Sequence, residues 1–435
     1  MRPSDKRSDT GWTRRRLIAA GLQGSAYLAL GRALAACGGS GGSGGNGGGP
    51  GPVDPGTPGG VPAGRFGDIP PLGEPLDIGI RIPRGFSARV IGKAWEKVPG
   101  TNLTWHTDPD GAAVFPADDG GWIYVSNKEF IPGGVNALRF NAAGEVVDGY
   151  NILHGLLSSI NCGGGITPWG TWLSCEETDV GRVWECDPLG KTGPKLRSAL
   201  GTFKHEAVAV DPSTNIFYLT EDQSDGRFYR FVPDQPNVGG VPDYGSGKFQ
   251  AMRVSLPQDE LNQPGVLDPV AVDWLDVPNP NLIPTRTRVA ETTAFRGGEG
   301  IWYHDGVVYF STKGDRRVWA HRPADSTVEI IYDDDLFAEP ILDSVDNIVV
   351  TPGGDLIIVE DKSEANQQAV ALTRDERIFP IIELVGQEGS EVTGPAFSPD
   401  GRHFYFSSQR GPVANGATGF NGITYCVTGD WFTPL

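Results

Sequence analysis

Three things are scarce in this chain of 435 residues: helix-forming stretches, short signatures of the common catalytic classes, and positive charge. Glycine contributes 62 residues and proline 35. Such a composition is rich in turns and poor in helix formers, so it favours many short strands over helices. No serine-nucleophile elbow, phosphate-binding glycine loop or Cys-x-x-Cys pair is present, which leaves the classes those motifs mark without support. Lysine and arginine number 36 against 54 aspartates and glutamates, a formal net charge of −18. A surface that acidic repels nucleic acid and anionic membranes. The longest apolar run, residues 17–34, is interrupted by Gly21, Gly24 and Gly31. That excludes a permanent membrane span there.

What the amino terminus does contain reads as an address rather than a fold. Thr13-Arg14-Arg15-Arg16-Leu17-Ile18 resembles a twin-arginine export signal, and Leu34-Ala35-Ala36-Cys37-Gly38 resembles a bacterial lipobox. The expected division is a signal peptide over 1–36, then a lipidated Cys37 opening a Gly/Pro-rich linker over 37–70, then one domain over 71–435. Near-pure Gly, Ser and Pro after Cys37 make a flexible tether. The expected location is therefore the periplasm or cell surface, with contact to the membrane through the lipid alone. A monomer is expected.

Within 71–435 one design recurs six times: an apolar strand, a tight turn, a second aromatic or β-branched strand, and a polar ending. The endings fall near 129, 177, 222, 313, 360 and 409, mostly 45–49 residues apart. That spacing suits the four-stranded blade of a β-propeller, so the expected fold is all-β, a six-bladed β-propeller. The interval from 222 to 313 is about twice as long, and its Pro-rich stretch from Val232 to Pro284 reads as an inserted loop. The strand Gly422-Ile423-Thr424-Tyr425-Cys426-Val427 is expected to close the ring with amino-terminal residues.

Innermost strands of a propeller converge on a central channel. Here their starts are polar: Asn161-Cys162, His205-Glu206, Glu299 and Asp346-Asn347. Glu206 and Glu299 open apolar strands, where no turn explains a carboxylate. Several carboxylates share a dry space only with cations among them. Calcium, which takes six to eight oxygens, suits such a ring. A thiolate beside it would favour a softer metal such as iron. Asp211, Asp305 and Asp400 instead precede turn residues and read as turn formers. Glu221-Asp222 and Glu360-Asp361 end strands, where a rim position accounts for them equally well. His205 reads as a supporting partner rather than a general base. Among the cysteines, a Cys162–Cys186 disulfide is conceivable outside the cytoplasm, Cys426 fits core packing, and Cys175 is open between metal ligand, disulfide and buried thiol.

Several stretches together resemble the PhoX-like secreted alkaline phosphatases. They are the run Asn161-Cys162-Gly163-Gly164-Gly165-Ile166-Thr167-Pro168-Trp169-Gly170-Thr171-Trp172-Leu173-Ser174-Cys175-Glu176-Glu177, Phe203-Lys204-His205-Glu206-Ala207, Arg296-Gly297-Gly298-Glu299-Gly300-Ile301-Trp302, Asp343-Ser344-Val345-Asp346-Asn347 and Gly394-Pro395-Ala396-Phe397-Ser398-Pro399-Asp400-Gly401. The resemblance spans about residues 80–435. It implies hydrolysis of phosphate monoesters at a mixed iron and calcium cluster in the channel mouth. It further implies Cys175 as an iron ligand, Glu206 and Glu299 as metal ligands, and Arg296 facing the phosphate. Asp346 and Asn347 complete the expected metal set, and Arg410 is a second candidate for clamping the phosphate. Two departures stand out: only Thr178–Phe203 separates the Cys-Glu-Glu and Lys-His-Glu elements, and the Arg296-to-Glu299 spacing is longer by one glycine. Two other readings remain beside it: a calcium lactonase using Glu206, Glu299 and an Asn or Asp with no role for Cys175, and a binding protein without catalysis.

Overall fold

Valine, isoleucine and the aromatics fill the paired segments, and they pair antiparallel almost throughout. The computed structural model describes residues 64–434, apart from 363–366, 376 and 413–419. The export segment and Cys37 lie outside the described residues. Regular pairing begins at Gly64–Phe66, inside the stretch assigned to the linker, against Phe432–Pro434. The only α-helix among the described residues is the single turn Gln258–Leu261.

All six expected hairpins form. Their first strands are Pro109–Pro116, Asn161–Ile166, His205–Val210, Gly298–His304, Val345–Val350 and Val392–Phe397. Each of these lies beside the next in space, and the sixth lies beside the first, so they make a closed ring. The fold is all-β and propeller-like. The first, second and sixth hairpins each sit in a four-stranded sheet and the fifth in a five-stranded one. In the sixth sheet Ile423–Thr428 pairs with Ser87–Lys93, so the amino-terminal part of the domain supplies the outer strand and closes the ring.

The third and fourth hairpins do not form separate sheets. They share one sheet of nine strands. The stretch expected to be an inserted loop is responsible. Gly247–Val254 is the outer strand of the third meander, and Leu267–Asp276 pairs with it on one side and with Thr327–Asp333 on the other. Proline and glycine on either side of these strands, and Pro269 inside Leu267–Asp276, mask them, although Val270, Val272 and Trp274 pack on the core.

Between successive hairpins lie six apolar clusters. One joins Ile123 and Val125 to Trp172 and Trp184. Others join Leu173 to Val208 and Leu219, Phe310 to Tyr218, Tyr309 to Ile348 and Ile358, and Ile357 to Phe404 and Phe406. The last joins Tyr405 to Trp122 and Tyr124. A Tyr405 hydroxyl accepts from Trp122 Nε1 at 2.9 Å within it, tying the sixth hairpin to the first. Each fully buried large side chain contributes about 1.5–3 kcal/mol. Packing of this kind holds the inner strands at fixed spacing, which the site requires.

Candidate metal centre

The site is built by a repeated backbone irregularity. In every inner strand the pairing register shifts so that two residues oppose one. The shifts fall between Pro109 and Ala112, Asn161 and Gly164, His205 and Val208, Gly298 and Ile301, Val345 and Ile348, and Thr393 and Ala396. A β-bulge kinks its strand and re-aims a side chain. The first bulged residue of the first five strands is Asp110, Cys162, Glu206, Glu299 and Asp346 in turn. In the sixth it is Gly394, and Glu391 just before that strand supplies the acid.

Small residues follow where the bulges crowd. A Cβ on Gly163 would lie 2.4 Å from the Glu206 carbonyl oxygen, and one on Gly300 would lie 2.6 Å from Asn347 Cα. Neighbouring bulges are tied by side chains. Asn127 Nδ2 donates to the carbonyls of Cys162 and Gly163 at 2.7 and 2.6 Å. The Thr220 hydroxyl donates to the Glu299 carbonyl, and the Ser311 hydroxyl to that of Asp346.

A second set arrives from the polar ends of the partner strands. The backbone N–H groups of Glu129, Glu177, Asp222, Lys313, Asp361 and Gln409 donate to Asp108, Ile160, Lys204, Gly297, Ser344 and Glu391 respectively. The same bond therefore locks one residue per hairpin beside its bulge. Among these, the carboxylates of Glu129 and Glu177 join the bulge residues, Lys313 reaches Glu299 and Gln409 donates to Asp110.

The result is one continuous group of seven carboxylates and a thiol. Within each of four overlapping triplets the ligand atoms lie no more than 4.8 Å apart: Asp110–Cys162–Glu206, Glu129–Cys162–Glu177, Asp110–Glu129–Glu391 and Glu206–Glu299–Asp346. Three cations border it. Lys204 Nζ is 3.0 Å from Glu177, Lys313 Nζ 3.0 Å from Glu299, and Arg410 Nη2 3.2 Å from Glu391. Two like charges 4.8 Å apart repel by about 3.5 kcal/mol at an effective dielectric of about 20. Burial above all pushes the carboxyls of Glu129, Glu206, Glu299, Asp346 and Glu391 well above the usual range; neighbouring acids add to it, and at Glu299 the Lys313 ammonium opposes it. Burial raises Asp110 to about 6. Glu177 goes the other way: burial opposes its charge, but the Lys204 ammonium outweighs it. The group therefore has more buried carboxylate than its three cations neutralise. Hard oxygen donors in this number fit calcium, and the thiol among them adds a donor for a softer ion.

The structure brings together Glu206, Glu299 and Asp346 of the expected set. Asn347 supports them: its Nδ2 donates to Asp346 Oδ1 at 2.9 Å and its Oδ1 accepts from Gly394 N at 3.1 Å. Cys175 is not brought to the group. It packs in apolar surroundings with Leu173, Val183 and Phe203. It is the single residue opposite the second bulge, the place held by Asn127, Thr220 and Ser311 in their hairpins. The cysteine at the group is Cys162, whose Sγ lies 3.3 Å from Glu206 Oε1. Cys162, Cys175, Cys186 and Cys426 are all free, so no Cys162–Cys186 disulfide forms. Arg296 is exposed, and its guanidinium makes no hydrogen bond or ion pair among the described residues. His205 stacks on Phe203, faces the Gly201 carbonyl at 3.2 Å, and is held neutral by burial. Sequence reasoning missed Asp110, Glu129, Glu177 and Glu391. The recurrent acids at strand ends were a usable signal for Glu129 and Glu177. Below the group the channel is apolar, lined by Ala112, Ile166, Ile301 and Trp302.

A propeller-like ring of strands with a bulge-built acidic centre is thus the class of protein at hand. The family described as alkaline phosphatase PhoX matches residues 148–330 and 324–411, and the chain belongs to that family. No curated protein matches the sequence. Among solved structures, PhoX of Pseudomonas fluorescens in complex with vanadate, a transition state analogue, superposes with a TM-score of 0.65 at 17% identity, covering 84% of this chain and 98% of that one. A gluconolactonase from Xanthomonas campestris gives 0.41 at 12% identity, covering 85% and 97%. A streptogramin B lyase gives 0.42 at 12%, covering 79% and 97%.

Proposed function

We propose that this chain is a metal-dependent phosphomonoesterase acting on small phosphorylated substrates, and that its six hairpins are six propeller blades, two of them joined by Leu267–Asp276. The observation that carries the reading is the convergence of seven carboxylates and Cys162 from the inner ends of separate hairpins. Family membership supplies the reaction class.

In this reading Asp110, Glu129, Glu177, Glu206, Glu299, Asp346 and Glu391 hold calcium, and Cys162 directs iron to its own side of the ring. Bound metal ions supply positive charge that neutralises phosphate oxygens as the bond to the leaving group breaks. Arg410 stands at the border of the group, partly exposed, and adds a guanidinium suited to two phosphate oxygens. The bulges and their inter-hairpin hydrogen bonds keep the carboxylates in place without reorganisation, which is how a preorganised polar site favours a charged transition state. A lactonase centre with no thiol would leave Cys162 and most of the seven carboxylates without a role.

Export by the twin-arginine route and anchoring through Cys37 complete the proposal, with the folded domain acting at the cell envelope as a monomer. The decisive experiment is turnover of an aryl phosphate by protein purified from its exporting host, before and after chelation, with elemental analysis alongside. Activity that is lost on chelation and restored by calcium and iron supports the reading. Metal-replete protein without turnover on a panel of phosphate monoesters overturns it.

A further inference from the structure

Beside the third and fourth hairpins the rim of the carboxylate group is charged, with Lys204, Asp222 and Arg296 reaching solvent. Between the sixth hairpin and the first it is apolar. Trp95 and Phe420 are exposed there, at 62% and 40%. Apolar faces left open to water beside a polar site mark places of contact. Both residues are fixed. Trp95 Nε1 donates to the Phe420 carbonyl at 2.9 Å, and the Thr107 hydroxyl donates to the same oxygen at 3.0 Å. The Phe420 ring meets the Phe130 ring edge to face, with centroids 5.1 Å apart. The backbone ties this aromatic set to the site. Phe130 follows Glu129 directly in the chain, and Glu129 belongs to the carboxylate group. Asn421, next after Phe420, donates its backbone N–H to the Arg410 carbonyl at 3.2 Å. Asp108, whose carbonyl accepts from Glu129 N at 2.9 Å, lies in the fields of both Arg410 and Lys128. The Lys128 ammonium in turn sits 5.3 Å from the centre of the Phe130 ring.

We propose that Trp95 and Phe420 form a shelf for the alcohol part of the substrate, so that the enzyme selects phosphate monoesters whose alcohol carries a planar apolar group. The inference rests on the phosphomonoesterase reading. With the phosphoryl group held at the carboxylate group and by Arg410, the alcohol cannot point inward, because seven carboxylates and a thiol fill that space. It leaves over the rim, and on the Arg410 side the rim is this indole and phenyl pair. A planar apolar group laid there removes apolar surface of both partners from water, and ring-to-ring contact adds to the gain. A small hydrated alcohol gains neither. Phe130 is the positioning residue, since its ring backs Phe420. The shelf touches no reacting atom, so it acts on the choice of substrate rather than on the bond that breaks.

The test compares naphthylmethyl phosphate with ethyl phosphate, two esters whose alcohols leave as comparable alkoxides, on full-length protein purified from its exporting host. Wild type should prefer the naphthylmethyl ester by about tenfold or more in kcat/KM, mainly through a lower KM, the size expected of a modest apolar contact. W95A and F420A should each cut that ratio several-fold, and F420W should keep it. A wild-type ratio near one, or W95A and F420A that fold by circular dichroism and keep the wild-type ratio, overturns the inference. A second measurement needs no turnover. Naphthylmethylphosphonate and ethylphosphonate are titrated calorimetrically into the same protein. Tighter binding of the naphthyl compound by about tenfold, lost in F420A, supports the shelf, and equal affinities overturn it. Protein that hydrolyses both esters alike, and binds both phosphonates alike, loses the shelf and keeps the phosphatase. Protein that hydrolyses neither ester, yet binds the naphthyl phosphonate more tightly, loses the phosphatase and keeps the shelf.

Discussion

The Cys162 thiol lies 3.3 Å from Glu206 Oε1, across the boundary between the second and third hairpins. Burial, then the fields of Asp110 and Glu206, push this thiol well above its ordinary range, so as a free group it stays protonated. A metal ion reverses that preference, because a coordinated thiol gives up its proton. Cys162→Ser should therefore abolish iron retention and lower phosphatase activity by more than the 10–100-fold typical of losing a supporting partner. Cys175→Ser should keep its metals. It places a hydroxyl among Leu173, Val183 and Phe203 and should cost about 1–3 kcal/mol of stability. Elemental analysis of both variants beside their denaturant midpoints decides the matter. Iron lost from the Cys175 variant and kept by the Cys162 variant would reverse the assignment.

Much of this was legible beforehand, and the failures have a physical cause. Hairpin spacing is carried by runs such as Trp122-Ile123-Tyr124-Val125, whose apolar character needs no partner to be seen. Glu206, Glu299 and Asp346 were visible because a carboxylate opening an apolar strand has no local excuse. A bulge is different. It is a relation between two strands, and nothing in Asn161-Cys162-Gly163-Gly164 announces that two residues will face one. Without it the alternation cannot say which cysteine points inward, and the family resemblance drew attention to Cys175 instead. Glu177 follows Cys175 and Glu176 in sequence, yet the three go separate ways. Cys175 enters the core, Glu176 accepts from Arg182 N and Trp184 Nε1, and Glu177 joins the carboxylate group. Leu267–Asp276 was hidden for another reason: Pro269 within it and the prolines around it read as a loop, although Val270, Val272 and Trp274 pack on the core.

Metal-free protein should lose stability as pH rises, opposite to the usual behaviour of surface carboxylates. Asp110 titrates at 3.8 in an ordinary setting and at about 6 here, and Glu206, Glu299 and Asp346 are shifted the same way. Between those values the folded chain holds protons that the unfolded chain has released, so stability falls with pH. Asp110 alone accounts for roughly 3 kcal/mol across its window. Calcium removes the penalty by replacing the protons. Below about pH 6.5 the buried, neutral His106, His205 and His321 act the other way, so thermal melts of chelated protein should show a falling Tm from pH 6.5 to 8, and the gain on adding calcium should be small at pH 5 and large at pH 8. A chelated protein that grows more stable across this range would sink the prediction.

The bulges can be tested through their glycines. Gly163→Ala puts a methyl 2.4 Å from the Glu206 carbonyl oxygen, a backbone atom that cannot step aside. The inner strands must then separate, at a cost of at least the 1–3 kcal/mol of ordinary overpacking. Glu206 moves with its own backbone, so calcium affinity should fall together with stability. Gly193→Ala, with nothing within 4 Å of the added carbon, serves as the comparison and should change neither. Denaturant melts and calcium titrations on the two variants check this. A Gly163→Ala protein of wild-type stability and affinity would show that the close approach of the strands is not needed.

Two arginines compete for the phosphate. The family resemblance points to Arg296, whereas the geometry favours Arg410. Arg410 follows Gln409, whose Nε2 donates to Asp110 Oδ2 at 2.8 Å, and its own guanidinium lies 3.2 Å from Glu391. It therefore stands at the edge of the carboxylate group with part of its donor fork still open to solvent. Arg296 is exposed, and the charge it presents is felt by Asp315. A charge-assisted contact to the substrate is worth about 1.5–3 kcal/mol, which is roughly a 10–100-fold loss in kcat/KM when it is removed. Arg410→Ala should show that loss mainly as a raised KM for an aryl phosphate, with calcium and iron content unchanged. Arg410→Lys should recover only part of it, because an ammonium cannot bind two oxygens as a fork does. Arg296→Ala should stay within about threefold of wild type, less than the loss of a single net hydrogen bond of about 1 kcal/mol. The reverse ranking, with Arg296→Ala the more damaged at full metal content, would return the phosphate to Arg296.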